Sequence, residues 1–480
     1  MLGPWFYMKK VQSPEEKFEM MTQRPVKSLI CSLAVPSIVS MLISSIYNMA
    51  DTFFVSQINT SASGAVGVSF SLMAIIQSLG FMIGMGSGNY ISRLLGQKNR
   101  EQAEKVVATG FFTAIGVGLV LAVFGLIFID PLVFALGSTE TIAPYAKAYV
   151  SYILIGAPYM IAAIVLNNTL RLQGNAFYSM IGLATGGILN VGLDPLFIFT
   201  FGLGTGGAAL ATIISQFVSF CILFSFTGKH GSLKVHIKSF TPKWGLYKEI
   251  LRGGLPSFYR QSLASVSMIF LNFSAGPYGD AAIAAMSIVT RVFQFSMSIL
   301  MGFGQGFQPV CGFNYGAKRY DRVMEGFWFC SKLMFFSLMA ISVLVFLFAQ
   351  QIVTVFRRND PDVIAIGTIA LRYICVTLPF TSFMIVCDSM LQTIGKAKFA
   401  SILAISRQGL YFIPLVLTLP YLFGLTGVQL SQPISNILSF ATAVPMCILT
   451  MKEMKSQHEE QGKQLDIEKI TEMAEKEILE

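Results

Sequence analysis

Two carboxylates fall inside otherwise apolar stretches in the first half of the chain, each with polar company at helical spacing. Asp51 closes a stripe of Ser37, Ser40, Ser44, Tyr47 and Asn48, residues that share one face of a single helix. Asp194 follows Asn190 by four residues, which stacks those two on a common face. Thr212 reaches a comparable level on the next apolar run. Two carboxylates close together in low dielectric cannot both stay charged without a proton or a cation. Asp51, Asn190, Asp194 and Thr212 therefore read either as a proton site or as an oxygen cage suited to Na⁺, a hard cation. Pro195 removes one helical hydrogen bond and should free the Val191 carbonyl as a further oxygen.

The second half carries the opposite sign. Arg260, Arg291 and Arg407 lie well inside apolar runs, and Asp388 sits near the end of another. Gln261, Gln294, Gln305, Gln308, Gln429, Gln432 and Asn436 add amide-bearing faces. Two uses fit these residues. The arginines satisfy helix-end carbonyls, or they shape a polar substrate wall or gate together with Tyr47, Asn48, Gln261, Gln294 and Asp388.

The elements that must hold these groups follow from composition. Of 480 residues, 54% are hydrophobic and 12% charged, with 41 Phe, 24 Met and 42 Gly. Soluble proteins carry about 25% charged residues, and a soluble fold could not cover this much apolar surface. With mean hydropathy +0.64, the chain reads as an all-α polytopic membrane protein. A spanning helix needs about 20 mostly apolar residues. Twelve candidates occur, at 29–56, 64–91, 106–129, 146–170, 179–201, 206–228, 248–275, 282–310, 326–350, 364–391, 398–420 and 426–450. The expected organisation is an amino-terminal segment (1–28), a first lobe of six helices (29–228), a linker (229–247), a second lobe of six (248–451) and a tail (452–480). Apolar residues Leu465, Ile467, Ile470, Ala474 and Ile478 make the tail read as a solvated helix.

Basic residues set the orientation. They crowd the amino-terminal segment, the gap after the second span (Arg93, Lys98, Arg100, Lys105), the linker, and the gaps holding Lys318, Arg319, Arg322 and Lys396. The alternate gaps 130–144, 202–205, 276–281 and 421–425 hold no Lys or Arg, and only Arg357 and Arg358 break the pattern. Both termini are expected in the cytoplasm. The first 28 residues do not resemble a cleavable signal peptide, and Met8-Lys9-Lys10 offers an alternative start to Met1–Tyr7.

The halves repeat at an offset near 220. Pro36 matches Pro256, Gly84 and Gly86 match Gly304 and Gly306, Pro158 matches Pro379, and Gly174 matches Gly395. An even helix count per half makes the repeat parallel, with the two bundles related by a pseudo-two-fold axis along the membrane normal around a central cleft. The repeat also serves as a control. Leu271 stands where Asp51 would recur, and a position near Leu415 matches Asp194. The scaffold therefore does not require either carboxylate.

Other readings weaken on inspection. Net charge +9 is spread over gaps between spans, which indicates lipid headgroups and topology rather than nucleic acid. The seven Cys lack paired spacing, and three His leave little for imidazole chemistry. Gly80, Gly84, Gly86 and Gly88 lie in an apolar helix and partly recur, so close helix packing explains them better than a phosphate loop. Asp360-Pro361-Asp362 is too isolated for a membrane-embedded enzyme, and nothing resembles a channel filter.

Pro36, the run Tyr47-Asn48-Met49-Ala50-Asp51-Thr52 and the run Asn190-Val191-Gly192-Leu193-Asp194-Pro195-Leu196 together resemble the multidrug and toxic compound extrusion (MATE) family over about residues 25–450. Arg171-Leu172-Gln173-Gly174-Asn175 and Ser406-Arg407-Gln408-Gly409 are similar to its prokaryotic MepA-like and DinF-like branch. The resemblance implies secondary active export of varied, often cationic and lipophilic drugs or toxic metabolites, driven by entry of H⁺ or Na⁺, with no cofactor. It implies a cation site at Asp51, Asn190, Asp194 and Thr212, and helix bending at Pro36. Another branch places an acidic residue in the seventh helix; Arg260 and Gln261 stand there, so a second-lobe cation site would rest on Asp388 alone. The expected protein is a monomeric antiporter of the plasma (inner) membrane, in contact with lipid and working by alternating access, rather than an enzyme. The alternative is a flippase for anionic lipid-linked precursors, favoured by the second-half arginines.

Overall fold

The computed structural model describes residues 13–58, 60–229, 232–356 and 360–479. Arg357, Arg358 and the alternative start at Met8 lie outside the described residues. Every regular element among the described residues is helical. A short helix α1 (Pro14–Gln23) precedes α2 (Val26–Ser56), α3 (Thr60–Gly96), α4 (Arg100–Ile127), α5 (Ile129–Ala135), α6 (Ala143–Leu172), α7 (Ala176–Pro195) and α8 (Gly204–Ser225). The second half follows with α9 (Trp244–Ala275), α10 (Asp280–Gly316), α11 (Tyr320–Leu347), α12 (Ala349–Phe356), α13 (Pro361–Thr393), α14 (Ala397–Ile405), α15 (Ile413–Phe423) and α16 (Leu425–Leu479). A π-helical turn, Leu196–Thr200, extends α7, and another, Ser406–Phe412, joins α14 to α15.

With the short helices α1, α5 and α12 set aside and α14 and α15 counted as one span, the described residues form twelve long helical rods, six in each lobe. Eleven are long and apolar enough to cross a membrane on hydropathy alone. The exception is α9, which carries Lys248, Glu249, Arg252 and Arg260. Lys248 and Arg252 are exposed at its start, Glu249 faces Arg93 of α3, and Arg260 lines the space between the lobes. The structure adds α5 and α12, two short helices where the sequence suggests a gap and the end of a span.

The repeat is visible element by element. α3 and α10 are each 37 residues and α4 and α11 each 28, with starts displaced by 220. The ends are built alike too. Lys98 and Lys318 take left-handed backbone (φ 58° and 57°) just past α3 and α10. Gly174 and Gly395 do the same after α6 and α13, at φ 83° and 87°, the conformation in which glycine carries no Cβ penalty. Polar side chains cap several helix starts: Asn99 Oδ1 accepts from the Gln102 amide, and Asp360 Oδ1 from that of Val363.

One apolar cluster lies within the first lobe, another fills the second and takes in Leu29, Ile30 and Leu33 of α2, and the lobes meet mainly where α3 crosses α9 and α2 crosses α10. A Cβ on Gly86 would lie 1.9 Å from the Ile250 carbonyl oxygen, and one on Gly306 would lie 2.4 Å from Ala34 Cα. The two crossings are thus pseudo-symmetric, and glycine is what permits them. Gly80, Gly84 and Gly88 turn the other way, toward Ile164, Val165, Asn168 and Leu172 of α6. The glycine run therefore serves helix packing on two faces.

Candidate functional site

In the first lobe, α2, α7 and α8 bring the sequence-marked polar residues together. Asn190 Nδ2 donates to Asp194 Oδ1 at 3.2 Å and lies 3.4 Å from Thr212 Oγ1. Thr212 spends its own proton on the Ala208 carbonyl at 3.0 Å, so its oxygen lone pair faces the amide. Asp194 is wholly buried and Asp51 is 7% exposed, with each carboxylate within electrostatic reach of the other. Asp51 Oδ1, Asn190 Oδ1 and Asp194 Oδ2 are buried and find no hydrogen-bond partner among the described residues. Buried oxygens are almost always satisfied. An oxygen-rich, donor-poor pocket holding two carboxylates suits a proton or a hard monovalent cation. Among the described residues no cluster of three His, Cys, Asp or Glu would hold a transition metal.

The local sequence explains the placement. Asn190 and Asp194 share a face through their four-residue spacing, and Gly187, one turn earlier, lets α7 close on Tyr47 and Ile43 of α2. The helix then loosens into the π turn after Pro195, a distortion common near functional sites. Asn48 instead spends its amide on the Ser44 carbonyl at 2.8 Å. Pro36 is buried within an unbroken α2. Tyr149 of α6 was not legible from sequence: it is 1% exposed and within electrostatic reach of Asp51 and Asp194. Its one signal was a hydroxyl within an apolar run, which sequence alone does not separate from packing.

A second polar group lies between the lobes. A partly open cavity is lined by residues of both halves, among them Met41 and Met85 of the first lobe and Arg260, Asp388 and Arg407 of the second. Arg260 pairs with Asp388 Oδ2 and donates to Ser257 Oγ at 3.1 Å. Gln392 Nε2 donates to the same Ser257 Oγ at 2.6 Å and to the Gly253 carbonyl at 3.0 Å, so the arginine is braced from behind. Arg407, on the π turn, reaches only Met297 Sδ, at 3.9 Å, among the described residues. Gln261 lines the same cavity and its amide reaches Gln77 of the first lobe at 3.3 Å. Arg291 and Gln294 lie on α10 and do not line the cavity.

Arg171, visible in the sequence only as part of a motif, has a larger role than its position suggested. It is 2% exposed, and its guanidinium crosses from α6 to the Gln305 carbonyl (3.0 Å) and Gln308 Oε1 (3.1 Å) of α10. Asn168 Oδ1 accepts from it at 2.7 Å. Arg93 makes a similar crossing to the Thr393 carbonyl at 2.7 Å. Together with the two glycine crossings these bonds close the space between the lobes at the end of α3 and α10 that carries residues 86–96 and 306–316.

Comparison with known proteins agrees with this architecture. The MatE family model matches residues 36–196 and 256–418, one copy in each half and again displaced by about 220. The chain is 29% identical to the "Multidrug export protein MepA" of Staphylococcus haemolyticus (strain JCSC1435) over 401 residues, 82% of this chain and 87% of that one. It is also 29% identical to the protein of that name from Staphylococcus aureus (strain MSSA476), over 90% of this chain and 95% of the relative. A solved structure described as the outward-facing conformation of a multidrug resistance MATE family transporter of the MOP superfamily superposes with TM-score 0.86 at 26% identity, covering 92% of this chain and 99% of that one. A MOP superfamily transporter from Pyrococcus furiosus Vc1, described as having a binding pocket of reverse polarity that suggests a different function, superposes with TM-score 0.85 at 26% identity and the same coverage.

Proposed function

The chain belongs to the MatE family of multi-pass membrane proteins, and on that premise we propose that it is a secondary active multidrug efflux antiporter of the cell membrane, both termini cytoplasmic, driven by entry of H⁺ or Na⁺. One observation carries the coupling: Asp51, Asn190 and Asp194 each bury an oxygen that has no partner among the described residues, in the half whose repeat mate has no carboxylate there. A proton or Na⁺ on these oxygens removes the cost of holding two carboxylates together, and so favours the packing of α2, α7 and α8 within the first lobe that brings them close. Cargo occupies the separate cavity between the lobes. Exchange follows if ion and cargo favour different lobe arrangements, since a ligand shifts an equilibrium only by its differential affinity for the two states. The multidrug reading is supported by the MepA relatives and by the methionine-rich cavity wall, a surface able to repack around varied ligands.

The test is ethidium efflux from proteoliposomes under an imposed pH or Na⁺ gradient. Asp51→Asn and Asp194→Asn should each reduce gradient-driven efflux to the level of protein-free liposomes while dye binding is retained, and the effective gradient identifies the ion. Unchanged efflux in both variants would make the acidic pair structural. The second reading, a flippase for anionic lipid-linked precursors, is favoured by Arg260 and Arg407 in the cavity wall.

A further inference from the structure

The charge of the cavity is hard to reconcile with a cationic cargo. Arg260 and Arg407 line it, and Arg171 stands behind its wall on Gln305 and Gln308, within electrostatic reach of Arg260. Against these three cations the cavity lining offers one carboxylate, Asp388. Arg260 and Arg407 are only partly buried beside a partly open cavity, and a cleft lined by surplus charge of one sign draws in a counter-charge. Asp388 covers only part of the deficit. One of its oxygens is committed to Arg260, whereas Oδ1 is buried and finds no partner among the described residues. The Arg407 guanidinium, within electrostatic reach of the same carboxylate, has a methionine sulfur as its one hydrogen-bond partner among the described residues.

The remaining wall describes the rest of the ligand. Phe81, Met41 and Met85 come from the first lobe, and Met297, Met301 and Met384 from the second. An apolar body fits there, spanning both lobes, with its head at Arg260 and Arg407. Arg260 is a built element, because Ser257 and Gln392 hold it from behind. It is also dispensable to the scaffold: the position 220 residues earlier is Ser40, and Asn167 stands 221 before Asp388.

We infer that Arg260 and Arg407 form the binding site for the anionic head, carboxylate, sulfonate or phosphate, of an amphiphilic cargo, and that Asp388 is a tethered competitor that holds Arg260 until the cargo displaces it. The inference rests on the transport reading only for the word cargo, since the site itself is read by binding. It names a substrate class opposite in charge to the one the family resemblance implied.

The experiment measures equilibrium binding to the full chain in phosphatidylcholine nanodiscs, with empty discs subtracted. Three probes share one ring system and differ in head charge: 1-pyrenebutyrate, 1-pyrenebutanol and (1-pyrenebutyl)trimethylammonium. The wild type should bind the anion about tenfold or more tighter than the cation. Arg260→Gln and Arg407→Gln should each weaken the anion about tenfold and leave pyrenebutanol unchanged, while Arg407→Lys retains most of the affinity. Asp388→Asn should tighten the anion. Equal or tighter binding of the cation by the wild type, which needs no variant to fold, would overturn the site, as would Asp388→Asn weakening the anion. Replacing part of the lipid with phosphatidylglycerol separates the sources: competition that disappears in the Arg260→Gln, Arg407→Gln double variant assigns the head to a lipid, and its absence assigns it to a soluble anion. No gradient is applied, so binding is read apart from transport: anion binding intact, with no gradient-driven efflux of either ethidium or 1-pyrenebutyrate, sinks the antiport reading alone.

Discussion

Charge wholly or partly withdrawn from water is handled in three different ways by individual residues of this chain. Asp51 and Asp194 share a pocket poor in donors, Arg260 is paired and braced, and Lys17 is buried outside the membrane-spanning segments. Lys17 is 4% exposed on α1 and donates to Asn175 Oδ1 at 2.8 Å. Burial pushes its amine down to about 7, and the neighbouring Arg100 adds to the effect. A lysine on an undocked helix keeps its ordinary value near 10.4, so between about 7 and 10 the undocked helix binds a proton that the docked one does not. Docking of α1 therefore strengthens as pH rises through that window and is weakest below it. Hydrogen exchange over residues 14–23, corrected for intrinsic rate, should show protection growing from pH 7 to 9, and Lys17→Met should remove the dependence. Protection that is flat with pH in the wild type would mean Lys17 docks charged. Nothing in the sequence separates Lys17 from the nearby Lys9 and Lys10, because burial comes from Asn175 and Gly174, more than 150 residues away.

Among the elements, α3 and α10 are the ones whose glycines decide the architecture. Gly86 meets Ile250 and Gly254 of α9, and Gly306 meets Ala34 of α2, at distances that exclude any Cβ without movement. Gly86→Ala should lower the midpoint of thermal unfolding in detergent by an amount equivalent to about 1–3 kcal/mol, the usual cost of overpacking. Gly116→Ala is the control, since a Cβ there meets nothing within 4 Å, and it should leave the midpoint unchanged or raised. Equal effects from the two would detach stability from the crossing. Spacing and recurrence made the packing role of this run legible in the sequence. Its division between two partners, α6 and α9, was not, because a helical face is defined only once its neighbours are in place. α9 shows the reverse case: its charges lower its hydropathy, yet its match with α2 in the repeat marks it as a span.

At the scale of the whole molecule, two lobes touch through bonds that must break if they rock. Ser45 Oγ and Ser298 Oγ lie 2.9 Å apart across the lobes, and α1 ties itself to both: Lys17 to Asn175 in one, and the Met21 and Thr22 carbonyls to Asn314 and Arg319 in the other. In a background lacking the native cysteines, Ser45→Cys with Ser298→Cys should cross-link on oxidation, stop efflux, and recover when reduced. Full efflux from quantitatively cross-linked protein would exclude rocking of these lobes as the transport step.

Alone, the sequence determined everything that composition, period and repetition dictate. An apolar run long enough to span, basic residues in alternate gaps, and two halves offset by 220 are properties of the chain read locally, so twelve helices in two parallel bundles could be read from it. The four-residue spacing of Asn190 and Asp194 is local in the same sense, and so was half of the candidate cation site. Only the tertiary structure decided which distant residues meet: that Tyr149 borders the acidic pair, that Arg171 bridges the lobes, that Arg260 takes Asp388 while Arg407 is left without a carboxylate of its own, and that Arg291 stays out of the cavity. The Arg171 and Arg260 pairings span more than a hundred residues of chain, and all of these outcomes are set by how packed helices rotate about their axes. A helix carries its own stripe of polar groups in sequence, but the direction that stripe faces is fixed by its neighbours.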